Sequence, residues 1–179
     1  MNKEVMILVG VGQIGMAIAR RMGFGKKIII GDKNINNAKN IAEIMNNAGF
    51  DVEYMEMDLS SRESIKSIIK KSQESGDITM LVNAAGVSPS QASIETILKV
   101  DLYGTAVLLE EVGKVIAKGG VGVTISSQSG HRMPALSQEV ANVAELLMSQ
   151  GRAFITGTDF LIDGGATASY FYGPLKPEV

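Results

Sequence analysis

Residues 5–15 read Val5-Met6-Ile7-Leu8-Val9-Gly10-Val11-Gly12-Gln13-Ile14-Gly15. Five apolar residues run straight into Gly-x-Gly-x-x-Gly, and an amphipathic stretch follows. A continuous apolar run of this length suits a strand covered on both faces. The first glycine permits a tight turn, the second lets backbone approach a pyrophosphate, and the third lets helix and strand pack closely. The N-terminus of the following helix favours negative charge. The segment therefore predicts a strand, a phosphate-binding loop at Gly10, Gly12, Gln13, Ile14 and Gly15, and a helix.

The rest of the chain repeats the pattern. Val5–Val9, Lys27–Ile30, Val52–Met57, Ile78–Val82 and Val121–Ser126 read as strands. Val52–Met57 alternates between apolar and polar residues, which suits an edge strand; the other four are apolar runs. Helices are expected at about 13–22, 36–48, 62–74 and 94–117. The third has a capping box, Ser60-Ser61-Arg62-Glu63, followed by Ile65, Ile68 and Ile69 at helical spacing. Strands alternating with helices predict an α/β fold, doubly wound around a mostly parallel sheet in a Rossmann-type three-layer sandwich. One domain over residues 1–165 and an irregular tail over 166–179, which carries Gly173-Pro174 and Pro177, are expected.

The second strand ends at Gly31-Asp32, about 20 residues after the glycine loop, where an acid can hold a ribose 2′-hydroxyl. Asp32 would repel a 2′-phosphate, so NAD is favoured over NADP; Lys33, beside it, keeps NADP possible.

Composition narrows the function classes. The 179 residues are 45% hydrophobic and 20% charged, with a net charge of −2. That balance gives no electrostatic footprint for nucleic acid or an anionic membrane. No apolar run approaches the roughly 18–20 residues of a membrane span. There is no cysteine, which excludes disulfides and thiolate metal sites and fits a cytoplasmic location. The N-terminal apolar run leads into the glycine loop and reads as a core strand, not a signal peptide.

Four further segments carry a family resemblance. Leu81-Val82-Asn83-Ala84-Ala85-Gly86 ends the fourth strand, Met57-Asp58-Leu59 the third, and Ile125-Ser126-Ser127 the fifth. Phe160-Leu161-Ile162-Asp163-Gly164-Gly165 follows Ile155-Thr156-Gly157 near the C-terminus. Together they resemble the short-chain dehydrogenase/reductase family, with its NAG motif and its DGG ending. The resemblance implies hydride transfer between a nicotinamide dinucleotide and a small-molecule alcohol or carbonyl, in a homo-oligomer, dimer or tetramer. It implies that Asp58 and Leu59 lie near adenine, that Asn83, Ala84, Ala85 and Gly86 border the cofactor, and that Ser127 is catalytic. The family's usual loop is TGxxxGxG; here Val9 replaces the threonine and the loop is GxGxxG. Asp101 stands where the family often has an asparagine. Asparagine donates and accepts, whereas ionised aspartate only accepts.

The family's chemistry also uses a tyrosine and a lysine spaced YxxxK on the helix after the fifth strand. Beyond Ser127 the tyrosines are Tyr170 and Tyr172. Tyr172-Gly173-Pro174-Leu175-Lys176 has the spacing, but Gly-Pro disfavours a helix that would put both side chains on one face. The sequence passes from the serine strand through Gln138 to Glu139-Val140-Ala141-Asn142-Val143-Ala144, which resembles the family's penultimate helix. A YxxxK helix, a sixth strand and a substrate lid would belong at 138–139. Two readings stay open: the molecule carries that segment in addition to these residues, or the chain is short and serves as a non-catalytic dinucleotide-binding protein. His131, the only histidine, reads as a solvated loop residue with no partner for a triad or metal site.

Overall fold

The computed structural model describes residues 2–88, 90–126 and 145. The chain order is β1 (Glu4–Val9), α1 (Gln13–Met22), β2 (Lys27–Asp32), α2 (Ile35–Asn47), β3 (Asp51–Glu56), α3 (Arg62–Ser75) and β4 (Asp77–Asn83). Then come α4 (Ile94–Ile97), a π-helical segment (Leu98–Gly104), α5 (Thr105–Gly113) and β5 (Val121–Thr124). The five strands form one parallel sheet in the order β3-β2-β1-β4-β5. The doubly wound α/β fold expected from the alternating pattern is present, and β3 is at an edge as its alternation predicts.

Strand side chains alternate between the two faces, and the core divides accordingly. Val5, Ile7 and Val9 of β1 pack with Ile65, Ile68 and Ile69 of α3 and with Val107, Leu108 and Val112 of α5. Met6 and Leu8 turn the other way, onto Ile18 and Ala19 of α1 and Ala38, Ala42 and Met45 of α2. Every one of these β1 residues is at most 1% exposed, which explains why the strand reads as an unbroken apolar run.

Several boundaries differ from the sequence expectation; β2, for one, runs on through Gly31 to Asp32. The single helix expected over 94–117 is α4, a π-helical segment and α5, and it ends at Gly113. A Cβ on Gly104 would lie 2.3 Å from the Leu59 carbonyl oxygen, so the helix approaches the loop after β3 backbone to backbone. The cap of α3 is one residue later than expected. Ser61 is the N-cap and accepts from Ser64 N, because Ser60 is bonded to Asp58 instead. Strand β5 stops at Thr124, leaving Ile125 and Ser126 outside it.

The edge strand carries an ion-pair network. Lys27 on β2 holds Asp51 at 2.8 Å and Glu53 at 2.7 Å; Lys3 also pairs with Asp51, and Lys71 reaches Glu53 at 2.5 Å. Hydrogen bonds from Lys27 are the largest effect on both carboxyls, which sit below their ordinary values of 3.8 and 4.5. A carboxyl that titrates lower in the folded than the unfolded state stabilises fully above its unfolded pKa and ceases to as pH falls through the folded one. Thermal melts from pH 7 to pH 2 should therefore show stability falling below about pH 4.5. Lys27→Met should flatten that acid limb; an unchanged limb would show that the network contributes nothing to it.

Among the described residues, no helix is long and apolar enough to cross a membrane.

Candidate functional site

The strand order reverses between β1 and β4, since β2 and β3 lie on one side of β1 and β4 and β5 on the other. Ligands of open α/β sheets bind beyond the carboxyl ends of the strands at such a switch point. The glycine loop after β1 and the Ala84–Ser88 stretch after β4 meet there, with Asp32 next to them at the end of β2.

Each glycine of the loop has its own geometric reason. Gly10 has φ +81°, and its N–H donates to the Gly31 carbonyl at 2.8 Å. A Cβ on Gly10 would lie 2.5 Å from Ala85 N, so the loop is pressed against the chain leaving β4. A Cβ on Gly15 would lie 2.3 Å from the Gly10 carbonyl oxygen, which is the close packing of α1 on the turn. Gly12 is different: a Cβ there would meet nothing within 4 Å. It is the N-cap of α1, with no side-chain cap and no acidic residue in the first turn. The first N–H groups of a helix have no partner within it. An exposed glycine over uncapped, partially positive N–H groups forms a cradle that fits a pyrophosphate and that a side chain would fill. Gln13 is exposed and Ile14 half-buried beside it.

Asp32 braces this loop. Its Oδ2 accepts from Val11 N at 3.0 Å and from Asn37 Nδ2 at 3.4 Å, and its Oδ1 accepts from Asn34 N at 2.8 Å. A carboxylate offers roughly four acceptor positions. Three are occupied internally, so gripping a ribose with two bonds requires the long Asn37 contact to give way. Asn34 in turn caps α2, accepting from Asn36 N and Asn37 N.

Asp58 and Lys33 form an ion pair, Nζ to Oδ2 at 3.0 Å. Burial is the largest single effect on the Asp58 carboxyl and pushes its pKa up. Bonds from Ser60 and Lys33 together outweigh it and hold the group below its ordinary 3.8. Leu59, next to it, is 4% exposed and belongs to the core.

Asn83 is fully buried. Its Nδ2 donates to Thr105 Oγ1 at 3.1 Å, its Oδ1 accepts from Ala85 N at 3.4 Å, and its carbonyl accepts from Ile125 N at 2.8 Å. One side chain thus ties the end of β4 to α5 and to the turn at Ala85. Ala84 N donates to the Val9 carbonyl, which keeps the β4 exit beside the glycine loop. Gly86 is exposed. Asp101, on the π-helical segment, accepts from Val87 N at 3.0 Å and so holds the same loop from the far side.

The structure therefore brings Gly10, Gly12, Gly15, Asp32, Ala84, Ala85 and Gly86 to one end of the sheet, with the Lys33–Asp58 pair at the ends of β2 and β3. Asn83 and Leu59 shape this end from within the core. Asn37 and Thr105 were not singled out in the sequence, and Ser60 was read there only as part of a helix cap. Each is a common polar residue whose partner is set only by the folded loops. Ser127, His131, Tyr172, Lys176, the Asp163-Gly164-Gly165 ending and the 138–139 junction lie outside the described residues.

The family described as enoyl-(acyl carrier protein) reductase matches residues 10–137. A short-chain dehydrogenase/reductase of Alternaria brassicicola is 37% identical over 140 residues, covering 78% of this chain and 50% of that protein. The chain belongs to the short-chain dehydrogenase/reductase family. Tropinone reductase-like 3 of Erythroxylum coca is 25% identical over 144 residues, covering 75% of this chain and 56% of that protein. The chain spans about half the length of these curated relatives. The family match ends at residue 137.

Solved structures share the fold. A short-chain dehydrogenase from Mycobacterium smegmatis superposes with TM-score 0.62 at 24% identity, covering 80% of this chain and 66% of that one. A metagenomic short-chain oxidoreductase in complex with NADP gives TM-score 0.62 at 23% identity, covering 79% and 69%. A Burkholderia phymatum short-chain dehydrogenase/reductase in complex with NAD gives TM-score 0.63 at 18% identity, covering 81% and 56%.

Proposed function

We propose that this chain binds NAD(H) across the β1/β4 switch point and acts in hydride transfer between nicotinamide and an alcohol or carbonyl substrate. The open cradle at Gly12, set on the uncapped start of α1, is the observation that carries the reading. Gly10, Gly12, Gln13, Ile14 and Gly15 hold the pyrophosphate, Asp32 the adenosine ribose, and Asp58 lies near adenine. Ala84, Ala85 and Gly86 border the cofactor, with Asn83 fixing their path. When bound, the nicotinamide supplies or accepts the hydride. Ser127 donates a hydrogen bond to the substrate oxygen and polarises it. The reading takes residues 1–165 as one domain with a tail at 166–179, in a cytoplasmic homo-oligomer, dimer or tetramer.

A second reading, a non-catalytic dinucleotide-binding protein, is favoured by one observation: after Ser127 the only YxxxK is Tyr172–Lys176, interrupted by Gly173-Pro174. A positioned general acid contributes roughly 10²–10⁴-fold. The two readings separate on turnover of reduced cofactor with a panel of ketones. The enzyme reading expects oxidation of NADH that falls by about 100-fold or more in Ser127→Ala, with NADH affinity unchanged. Turnover unaffected by Ser127→Ala would remove the catalytic assignment. NADH binding without turnover would establish the second reading.

A further inference from the structure

β3 is an edge strand of the parallel sheet, so alternate peptide groups along it point away from β2. Met57 N–H, just past the strand, turns inward and donates to the Asp32 carbonyl at 3.0 Å. Alternation then turns Val52, Tyr54 and Glu56 outward. One of these residues is already taken. The Asn46 side chain, near the end of α2, accepts from Val52 N at 2.9 Å and donates from Nδ2 to the Val52 carbonyl at 3.0 Å. These are the two bonds that a neighbouring strand would make at that residue. An amide carries both the donor and the acceptor they need, whereas a carboxylate only accepts. Among the described residues no hydrogen bond reaches the outward groups of Tyr54 or Glu56. Charged side chains commonly keep a strand edge from pairing with another chain. On β3 that protection is weak, because Asp51 is held by Lys3 and Lys27, and Glu53 by Lys27 and Lys71.

We propose that Asn46 is an edge guard: its amide stands in for a neighbouring strand at Val52 and keeps a second copy of this chain from adding its own β3 across the edge. The pairing it prevents is antiparallel and two-fold about Tyr54, with Val52 of each copy opposite Glu56 of the other. In that register the outward residues are the ones that exchange hydrogen bonds. An amide seated on Val52 in each copy removes both outer pairs, because the two-fold places one at either end. Only the central Tyr54 pair is left, and a single pair does not offset the cost of association. The guard is independent of any ligand at the switch point.

The test is multi-angle light scattering over a concentration series, with Asn46→Ala, Tyr54→Pro and the double variant beside the wild type. Proline at 54 removes an outward N–H that β2 does not use, so it blocks the edge without breaking the ladder. Asn46→Ala should remain folded and melt about 4–8 °C below wild type. Below its midpoint it should form species of at least twice the wild-type mass, associating about tenfold more tightly or better. Tyr54→Pro alone should keep the wild-type mass, and adding it to Asn46→Ala should restore that mass. A folded Asn46→Ala with the wild-type mass at every concentration would overturn the guard. So would a heavier species that persists in the double variant, since loss of stability alone predicts more association there, not less. Amide exchange of the wild-type chain tests the same point without substitution. Slow exchange at Val52 and fast exchange at Tyr54 and Glu56 are expected; fast exchange at Val52, or slow exchange at Tyr54, would overturn the proposal.

Discussion

Gly12→Val should abolish dinucleotide binding while leaving the fold intact. The backbone at Gly12 has φ −67° and ψ −177°, which valine adopts without strain. Its new Cβ would meet no protein atom within 4 Å. Valine is a poor N-cap, so α1 should lose at most about 1 kcal/mol. The isopropyl group would instead fill the cradle over the N–H groups of α1, where phosphate oxygens must approach. NADH affinity should fall by about 100-fold or more, equivalent to about 2.8 kcal/mol. Fluorescence titration of NADH and a thermal melt of the same preparation check both halves. Undiminished binding would move the phosphate site away from this loop.

Gly10→Ala should do the reverse and damage the fold first. At φ +81° a non-glycine residue costs about 1–2 kcal/mol. The added methyl would also lie 2.5 Å from Ala85 N, and Ala85 sits on a turn fixed by Asn83 and by Ala84 N on the Val9 carbonyl. Backbone cannot yield as a side chain end can, and forced overpacking adds about 1–3 kcal/mol. A total near 3 kcal/mol lowers the melting temperature by about 10 °C in a protein of this size. Differential scanning calorimetry measures it. A melting temperature within about 2 °C of wild type would contradict the close approach of the glycine loop and the β4 exit.

These two glycines share one motif, which assigns the tight turn to Gly10 and the approach to a pyrophosphate to Gly12 but does not show what protein packs against either. The motif announces a turn between strand and helix. Which glycine is pressed on protein and which faces open space depends on β4, which arrives some 70 residues later. The sheet itself was legible because strands buried on both faces leave unbroken apolar runs, as in Val5–Val9, while the edge strand β3 alternates. The split of 94–117 was not. Ile94, Leu98 and Leu102 recur every four residues, a spacing compatible with an α-helix throughout. The π-helical segment coincides with two tertiary contacts, Gly104 on the Leu59 carbonyl and Asp101 on Val87 N. The cap of α3 was misplaced by one because adjacent serines are equivalent until Asp58 captures Ser60. Asp32 was legible as an acid at the right distance from the loop. Its three internal donors were not, since Val11, Asn34 and Asn37 converge on it only once β1, β2 and α2 have packed.

The central claim is that a nicotinamide dinucleotide occupies the carboxyl end of this sheet at the β1/β4 switch point. Amide hydrogen exchange followed by mass spectrometry, with and without saturating NADH, tests it most directly. The account predicts that NADH slows exchange at residues 11–16, at 32–37 and at 84–88, and leaves the opposite end of the sheet, around Lys3, Gly76 and Asp77, unchanged. Protection absent from all three segments, or concentrated at that opposite end, would contradict it.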